Sequence, residues 1–398
     1  MTTTVRDGVL EPTDGADRPG VLVAEAYAIA PLLREHAAAS EAQGKLVDAV
    51  ADALHGTRLY GIWTPRELGG AECDPISSLE IVQALAAADA STAWVHMTTS
   101  LAIGTGGAFL QEEAVRAMFS GERLPVVAGQ GTRPGKAVTD GDGFRLSGDW
   151  SFASGIKHSQ WIHTLAIIEE TGQRRIFVLP VDQAELLETW DVMGLNATGS
   201  IDYKIRDVFV PETFTHEGLA ETPLRGGWIF RLGIAQIAYL GHSGWALGVA
   251  RRMLDDLAEQ VRAKAGRAGS MADSTRFQAL YGELEAKYHA ARALVYQVWR
   301  DAAETLRGGG ELSVDQRTML RLALYNATWS AHAISVEVYK AAGTSALRTG
   351  PMQRYFRDMH AGTQHRSSAP DVIESCGRSL AGLAPDHTWL FSNLVPRV

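Results

Sequence analysis

Apolar residues recur along this chain at two different periods, and the places where the period changes divide it. Residues 1–20 hold Thr, Asp, Gly and Pro without an apolar run, and they read as a disordered tail rather than a signal peptide. Residues 21–123 are rich in Ala and Leu and read as an N-terminal helical domain. Between 124 and 220 the period drops to two, with Gly and Pro punctuation. Ile201, Tyr203 and Ile205 alternate there with Asp202, Lys204 and Arg206, and Asp140-Gly141-Asp142-Gly143 marks a turn. The spacing predicts a central β-domain of six to eight short strands. From 221 to 398 helical spacing returns. Leu247, Ala250, Leu254, Leu257 and Val261 step by three and four, as do Phe277, Leu280, Leu284, Tyr288, Ala291, Val295 and Val298, and then Leu320, Leu324, Ala327, Ala331, Ile334, Val338 and Ala341. Three long antiparallel helices joined by loops at 266–274 and 308–313 make a C-terminal bundle of the four-helix type. The expected class is α+β.

Local signals sharpen parts of this outline. Asp74-Pro75 supplies an N-cap acceptor followed by a proline at the first helical position, and the helix it opens is expected to end near Asp89-Ala90-Ser91. The next apolar segment, Thr92 to Phe109, contains His96 with Thr98, Thr99 and Ser100. That histidine reads either as a core residue bonded to backbone or as a catalyst. In the middle of the chain, Asp149-Trp150-Ser151-Phe152-Ala153-Ser154-Gly155 combines rings and hydroxyls. Read as a strand, it places Trp150, Phe152 and Ser154 on one face. Such a face is either amphipathic core or a wall for a planar heteroaromatic ring, with an indole to stack and a hydroxyl to reach a ring nitrogen.

Composition narrows the function. A chain of 398 residues, 46% hydrophobic and 21% charged, can bury a large core. Its net charge of -9 offers no basic surface for nucleic acid or anionic membranes, which leaves a small molecule or a protein as partner. The most apolar long window, Leu232 to Ala250, is interrupted by Gln236, His242, Ser243 and four glycines, which argues against a membrane span. Cys73 and Cys376 form neither a disulfide framework nor a metal-ligand spacing, so no metal site is expected and a cytoplasmic location fits. No GxGxxG follows a strand, so a nicotinamide site of the usual kind is not expected.

Several strings taken together resemble the acyl-CoA dehydrogenases. They are Leu59-Tyr60-Gly61-Ile62 through Pro65-Arg66-Glu67-Leu68-Gly69-Gly70, the run Ala86 to Ala93, Asp142 to Gly148, Val208-Phe209-Val210-Pro211 and Phe277-Gln278. Three more are similar to the oxygenase components of two-component flavin monooxygenases of that fold, which act on phenols, secosteroids and aromatic polyketides. These are Trp150 to Gly155 with His158 and Trp161, Thr189 to Leu195 with Gly199-Ser200, and Pro351-Met352-Gln353-Arg354 through Arg357-Asp358 to Gly362 with His365. The dehydrogenases place a catalytic glutamate two residues before the proline of the last run. Here that residue is Thr349, which cannot act as a base near neutral pH. The alternative glutamate position falls on Ala258, with Glu259 about 100° away around a helix.

The resemblance implies a reaction in which reduced flavin, FMN or FAD, arrives from a separate NAD(P)H-dependent reductase. It reacts with O2 to a flavin hydroperoxide, and an aromatic or polycyclic small molecule is hydroxylated. N- or S-oxygenation, or an acyl-CoA dehydrogenase-like activity, are the alternatives. On the same ground the catalytic candidates are His365, Ser154 and His96. The flavin-binding candidates are Trp150, Ser154, Gln130, Gly131, Thr132, Thr198, Gly199, Ser200 and Phe277. His158 and His360 are expected to orient neighbours, and the resemblance implies a homotetramer assembled through the C-terminal bundle.

Overall fold

The computed structural model describes residues 19–397, with Thr132 described by its backbone alone. Residues 1–18 of the expected tail lie outside the described residues, while Pro19 and Gly20 already open the first helix, α1 (Pro19–Gln43). The chain forms two compact units. The first runs up to Ser78 and takes in Trp94–Asp191 and Asn196–Ala238. The second is built from Leu79–Ala93, Val192–Leu195 and Tyr239–Val398.

In the first unit, α1 and α2 (Asp48–Gly56) are followed by α4 (Ala90–Phe109), which enters it at Trp94, and α5 (Glu112–Met118). A seven-stranded sheet follows, with order β5-β6-β2-β1-β3-β4-β7. Its strands are β1 (Val127–Asp140), β2 (Gly143–Trp150), β3 (Trp161–Ile168), β4 (Arg174–Pro180), β5 (Glu185–Leu187), β6 (Asp202–Pro211) and β7 (Thr215–Glu217). The turn read at Asp140–Gly143 joins β1 to β2, with Gly141 at φ +58°, where a side chain would be strained. β1 pairs with β3 in parallel, and all other neighbours are antiparallel. Period two holds where it was read: Tyr203 and Ile205 are buried while Arg206 is exposed. Two irregularities matter for the site. The β1–β3 register shifts between Gln130 and Gly135, and β2 ends at Trp150 instead of continuing to Ser154.

In the second unit, α3 (Pro75–Ala88) enters at Leu79, its start lying in the first unit. As expected, its N-terminus is capped by Asp74, whose carboxylate accepts from the backbone of Ile76 and Ser77 at 2.9 and 3.3 Å. The long helices are α6 (Gly233–Arg262), α7 (Thr275–Arg307) and α8 (Val314–Ala342), followed by α9 (Pro351–Gly362) and α10 (Pro370–Leu380). α8 opens with a capping box in which Ser313 and Gln316 satisfy each other's backbone. Its apolar row from Leu320 to Val338 is buried, whereas the α7 row is buried only from Leu284 onward. A hairpin of β8 (His387–Leu390) and β9 (Asn393–Pro396) has no counterpart in the sequence reading. It is held by Arg321, buried on α8, which donates to the Phe391 carbonyl and lies over the rings of Tyr239 and Trp389.

Helix α9 clamps the loop Met193–Leu195. Arg357 Nη1 donates to the Met193 carbonyl at 2.8 Å, and buried Asp358 accepts the Leu195 backbone N–H at 2.6 Å. Between these bonds Gly194 lies so near the helix that a Cβ would stand 2.3 Å from the Arg357 carbonyl oxygen. Because the obstacle is helix backbone, Gly194→Ala is expected to cost about 1–3 kcal/mol, as overpacking does. Urea denaturation measures this, and a loss below about 0.5 kcal/mol, the range of neutral surface changes, would show that the loop does not depend on the helix.

Candidate functional site

The first unit gathers three of the expected site residues into one buried row. The segment after β2 turns sharply: Phe152 takes φ +68°, and Gly155 takes φ +82°. This turn meets the segment entering β6 through two backbone bonds, Ala153 N–H to the Ile201 carbonyl (3.2 Å) and Gly155 N–H to the Thr198 carbonyl (2.9 Å). Three hydroxyls line up as a result. Ser154 Oγ is 2.7 Å from Ser200 Oγ, and Ser200 Oγ is 2.7 Å from Thr198 Oγ1. From α4, Trp94 donates its indole N–H to Ser154 Oγ at 3.1 Å. Ser154, Ser200 and Thr198 are all buried. Gly199, between the last two, takes φ +52°.

Trp150 is not a surface for a ligand. The expected face of Trp150, Phe152 and Ser154 does not form, because the strand stops before Phe152. The indole is 1% exposed, stacks on Tyr203 at 5.3 Å and donates to the Leu165 carbonyl at 3.2 Å. The open ring is Phe152, 67% exposed and edge-on to Trp190 at 6.1 Å. Trp150 supports the sheet from inside. Tyr203, beneath it, donates to Thr164 Oγ1 at 2.8 Å, and Thr164 donates to the Gln130 carbonyl at 3.3 Å. Gln130 sits where β1 becomes irregular, its side-chain oxygen accepting from the Arg133 backbone at 2.7 Å. Gly131 follows, with the His163 ring at its side. Of Thr132, only its place in β1 is described.

His96 is separated from this row. On α4 it lies two residues beyond Trp94, about 200° around the helix, so the two side chains leave opposite faces. It is fully buried, its Nε2 bonds the Leu59 carbonyl at 2.8 Å, and burial depresses its pKa to about 4. Its Nδ1 has no hydrogen-bond partner among the described residues. Two further buried histidines, His163 and His216, share the sheet, and burial lowers their pKa values to about 3 and about 4.

In the second unit His365 caps the short turn Arg366–Ser368. Its Nδ1 accepts from the Ser367 backbone N–H at 3.3 Å and is 2.7 Å from Ser367 Oγ, which assigns the remaining proton to Nε2. The ring is partly buried and lies 3.9 Å, centre to centre, from that of His242 on α6. Desolvation first, then the neighbouring Arg366 charge, lower its pKa to about 4, so it is neutral at physiological pH. His360 bonds the Phe356 carbonyl at 2.7 Å. Phe277 lies in the first turn of α7, tilted against Tyr281 at 5.8 Å.

Family models for the acyl-CoA dehydrogenase N-terminal and C-terminal domains match residues 24–122 and 240–370. The chain belongs to the acyl-CoA dehydrogenase family. Among curated relatives, indole-3-acetate monooxygenase of Pseudomonas putida is 28% identical over 352 residues, covering 84% of this chain and 87% of that protein. The FADH(2)-dependent resorcinol hydroxylase oxygenase component of Rhizobium sp. is 29% identical over 408 residues, covering 94% and 97%. XiaF from Streptomyces sp., solved in complex with FADH2 and glycerol, matches with a TM-score of 0.84 at 23% identity, covering 92% of this chain and 96% of that one. That likeness extends the agreement to the fold.

In this acyl-CoA dehydrogenase family chain the strings are local while their partners are distant. The bond of Trp94 to Ser154 spans 60 residues, and inside an apolar helix Trp94 carries no local signal. His242 was visible only as a polar break in an apolar window. Among the described residues no helix is long and apolar enough to cross a membrane, and no group of three or more His, Cys, Asp or Glu could hold a metal ion. The donor set of the first unit fits a flavin. Ser154 retains one hydrogen-bonding capacity beyond its two partners, and Phe152 presents an uncovered ring two residues away.

His96, His163 and His216 give the family member a defined acid response. In the folded chain their pKa values lie at about 4, 3 and 4, against 6.5 when unfolded, so between pH 6.5 and 4 the unfolded chain binds more protons. Stability is expected to fall with pH across that window, by up to about 1.4 kcal/mol per unit for each histidine. Urea midpoints at pH 7 and pH 5 measure it, and equal midpoints would mean that these rings are not buried and neutral.

Proposed function

We propose that this chain is the oxygenase component of a two-component flavin monooxygenase that hydroxylates an aromatic or polycyclic small molecule. The observation that carries the reading is the match over 94% of the chain to a FADH(2)-dependent hydroxylase oxygenase component. It is supported by the loss of dehydrogenase chemistry. Thr349 replaces the expected base in an exposed turn before α9, and Glu259 points to solvent beside Ala258 on α6. Bound reduced flavin supplies two electrons to O2, so that one oxygen atom enters the substrate and the other leaves as water.

The chain's own residues then have separable tasks. Ser154 meets the flavin ring from the buried hydroxyl row, and Phe152 takes the stacking role first given to Trp150. Gln130, Gly131 and Thr132, on the irregular part of β1, hold the polar end of the ring. His365 is assigned as a hydrogen-bond donor through Nε2–H, because a neutral imidazole with a pKa near 4 is a weak base but an adequate donor. His96, tied to the Leu59 carbonyl, is assigned a structural role. The reduced flavin comes from a separate NAD(P)H-dependent reductase, and the buried cysteines Cys73 and Cys376, neither of them in a disulfide, suit a cytoplasmic enzyme.

The test is incubation with a generic flavin reductase, NADH, FMN or FAD, and a panel of phenols and polycyclic aromatics. A product one oxygen heavier, and no NADH consumption by the chain alone, are expected. Absence of oxygenated product across the panel with both flavins, or rapid NADH oxidation without the reductase, would count against the reading. His365→Ala is expected to retain reduced-flavin binding and lose roughly a hundredfold in oxygen transfer, with hydrogen peroxide released instead. Near-wild-type coupling in that variant would remove His365 from the chemistry.

We also propose a homotetramer formed through the second unit. α8 and α9 carry a partly buried aromatic row, Tyr325, Trp329, His332, His360, Phe356 and Tyr339, with successive ring centres 4.2–6.1 Å apart. Light scattering should return about four times the 43.0 kDa of one chain, and a stable monomer at micromolar concentration would exclude it.

A further inference from the structure

The hydroxyl row imposes a constraint of its own. A serine oxygen has one hydrogen to donate and two lone pairs with which to accept. At Ser154 the Trp94 indole N–H, which can only donate, occupies one lone pair. Ser200 Oγ stands 2.7 Å away and lies 2.7 Å from Thr198 Oγ1 in turn. The row therefore has two polarities. In one, Ser154 donates to Ser200 and Ser200 to Thr198, which leaves Ser154 one lone pair and no hydrogen for anything outside. In the other, the direction reverses, both lone pairs of Ser154 are filled, and its hydrogen points outward. Ser154 offers a ligand one capacity in either case, and the direction of its bond to Ser200 decides which.

We propose that Ser200 is a positioning residue that makes Ser154 a hydrogen-bond acceptor for reduced flavin. The proposal rests on the reading above that Ser154 meets the flavin ring. Reduced isoalloxazine carries a hydrogen on its central-ring nitrogen N5, which needs an acceptor. Oxidised isoalloxazine carries none there and needs a donor. With Ser200 in place, Ser154 accepts from the reduced ring while its own hydrogen goes to Ser200. Without the Ser200 hydroxyl that hydrogen has no acceptor in a row where Ser154 is only 6% exposed. Toward the oxidised ring, the same deletion leaves only a lone pair unfilled, the lesser loss, since buried acceptors tolerate incomplete satisfaction better than buried donors. Removing Ser200 thus penalises the reduced ligand selectively. Trp94 makes the selection sharp, because its N–H occupies the lone pair through which Ser154 would otherwise accept in either polarity.

The experiment is a pair of titrations of the full-length chain, one with oxidised FAD or FMN and one, without oxygen, with the dithionite-reduced flavin. Wild type, Ser200→Ala, Ser200→Thr, Thr198→Val and Ser154→Ala are compared. In Ser200→Ala the ratio of oxidised to reduced Kd is expected to fall about tenfold, the effect of one unmade buried hydrogen bond. The two-electron midpoint of the bound flavin should fall by about 30 mV with it. Ser200→Thr, which keeps the hydroxyl, should hold the wild-type ratio. Thr198→Val removes the acceptor of the Ser200 hydrogen without changing shape and should move the ratio the same way, so the test survives if Ser200→Ala does not fold. An unchanged ratio in the Ser200 and Thr198 variants, with a changed one in Ser154→Ala, overturns the inference and leaves Ser154 at the ring. Unchanged affinities for both flavins in Ser154→Ala overturn the placement of Ser154 itself, and the inference with it.

Discussion

The close approach of α4 to the turn after β2 is the constraint on which the hydroxyl row depends. At Gly155 a Cβ would stand 2.9 Å from Thr99 Cγ2 and 3.0 Å from Val95 Cγ1, and the backbone there is left-handed as well. Val95 and Thr99 are one turn apart on the helix and so press on the same spot. Only glycine satisfies both conditions, and because it does, the neighbouring Trp94 comes within hydrogen-bonding distance of Ser154. The same closeness keeps water off the row. In a dry setting each of these bonds is electrostatically stronger, and each unmade one is dearer, than at a surface.

The long elements were legible because periodicity responds to burial, and burial dominates long elements. The α8 row from Leu320 to Val338 and the α6 row from Leu247 to Val261 are buried as their spacing implied. The cap at Asp74 and the turn at Gly141 were readable for a different reason: both depend on residue types whose local chemistry permits few alternatives. The β8–β9 hairpin was not readable. Its four-residue strands are too short to establish a period, and they are stabilised by Arg321, about seventy residues earlier in the chain.

The candidate site was legible as a list of residues and illegible as a geometry. Ser154 and Ser200 were named for the strings they belong to and Thr198 for its place beside one of them, yet their order in a single row follows from two backbone bonds between separate loops. Trp150 shows the opposite failure. Extending the strand alternation past its real end put the indole on a ligand face, whereas a positive φ at Phe152, two residues beyond Trp150, reverses the pattern and exchanges the fates of the two rings. Sequence periodicity cannot signal a strand end of this kind, because the residue that breaks it, an aromatic in the left-handed region, is one that local propensity would place in the strand.

The pairing of β2 with β6 has a further consequence for how such a protein can change over time. Trp150, the last residue of β2, lies opposite Tyr203, at the start of β6. The chain leaving one strand and the chain entering the other must then emerge side by side at the same edge of the sheet. The meeting of Ser154 with Ser200 is thereby written into a strand register, which burial specifies strongly, since a slip by one residue would turn every buried side chain outward. Loops elsewhere on the sheet can lengthen, shorten or be exchanged without moving these hydroxyls. A lineage built on this frame is free to reshape the loops around the row while the row itself stays where the register puts it.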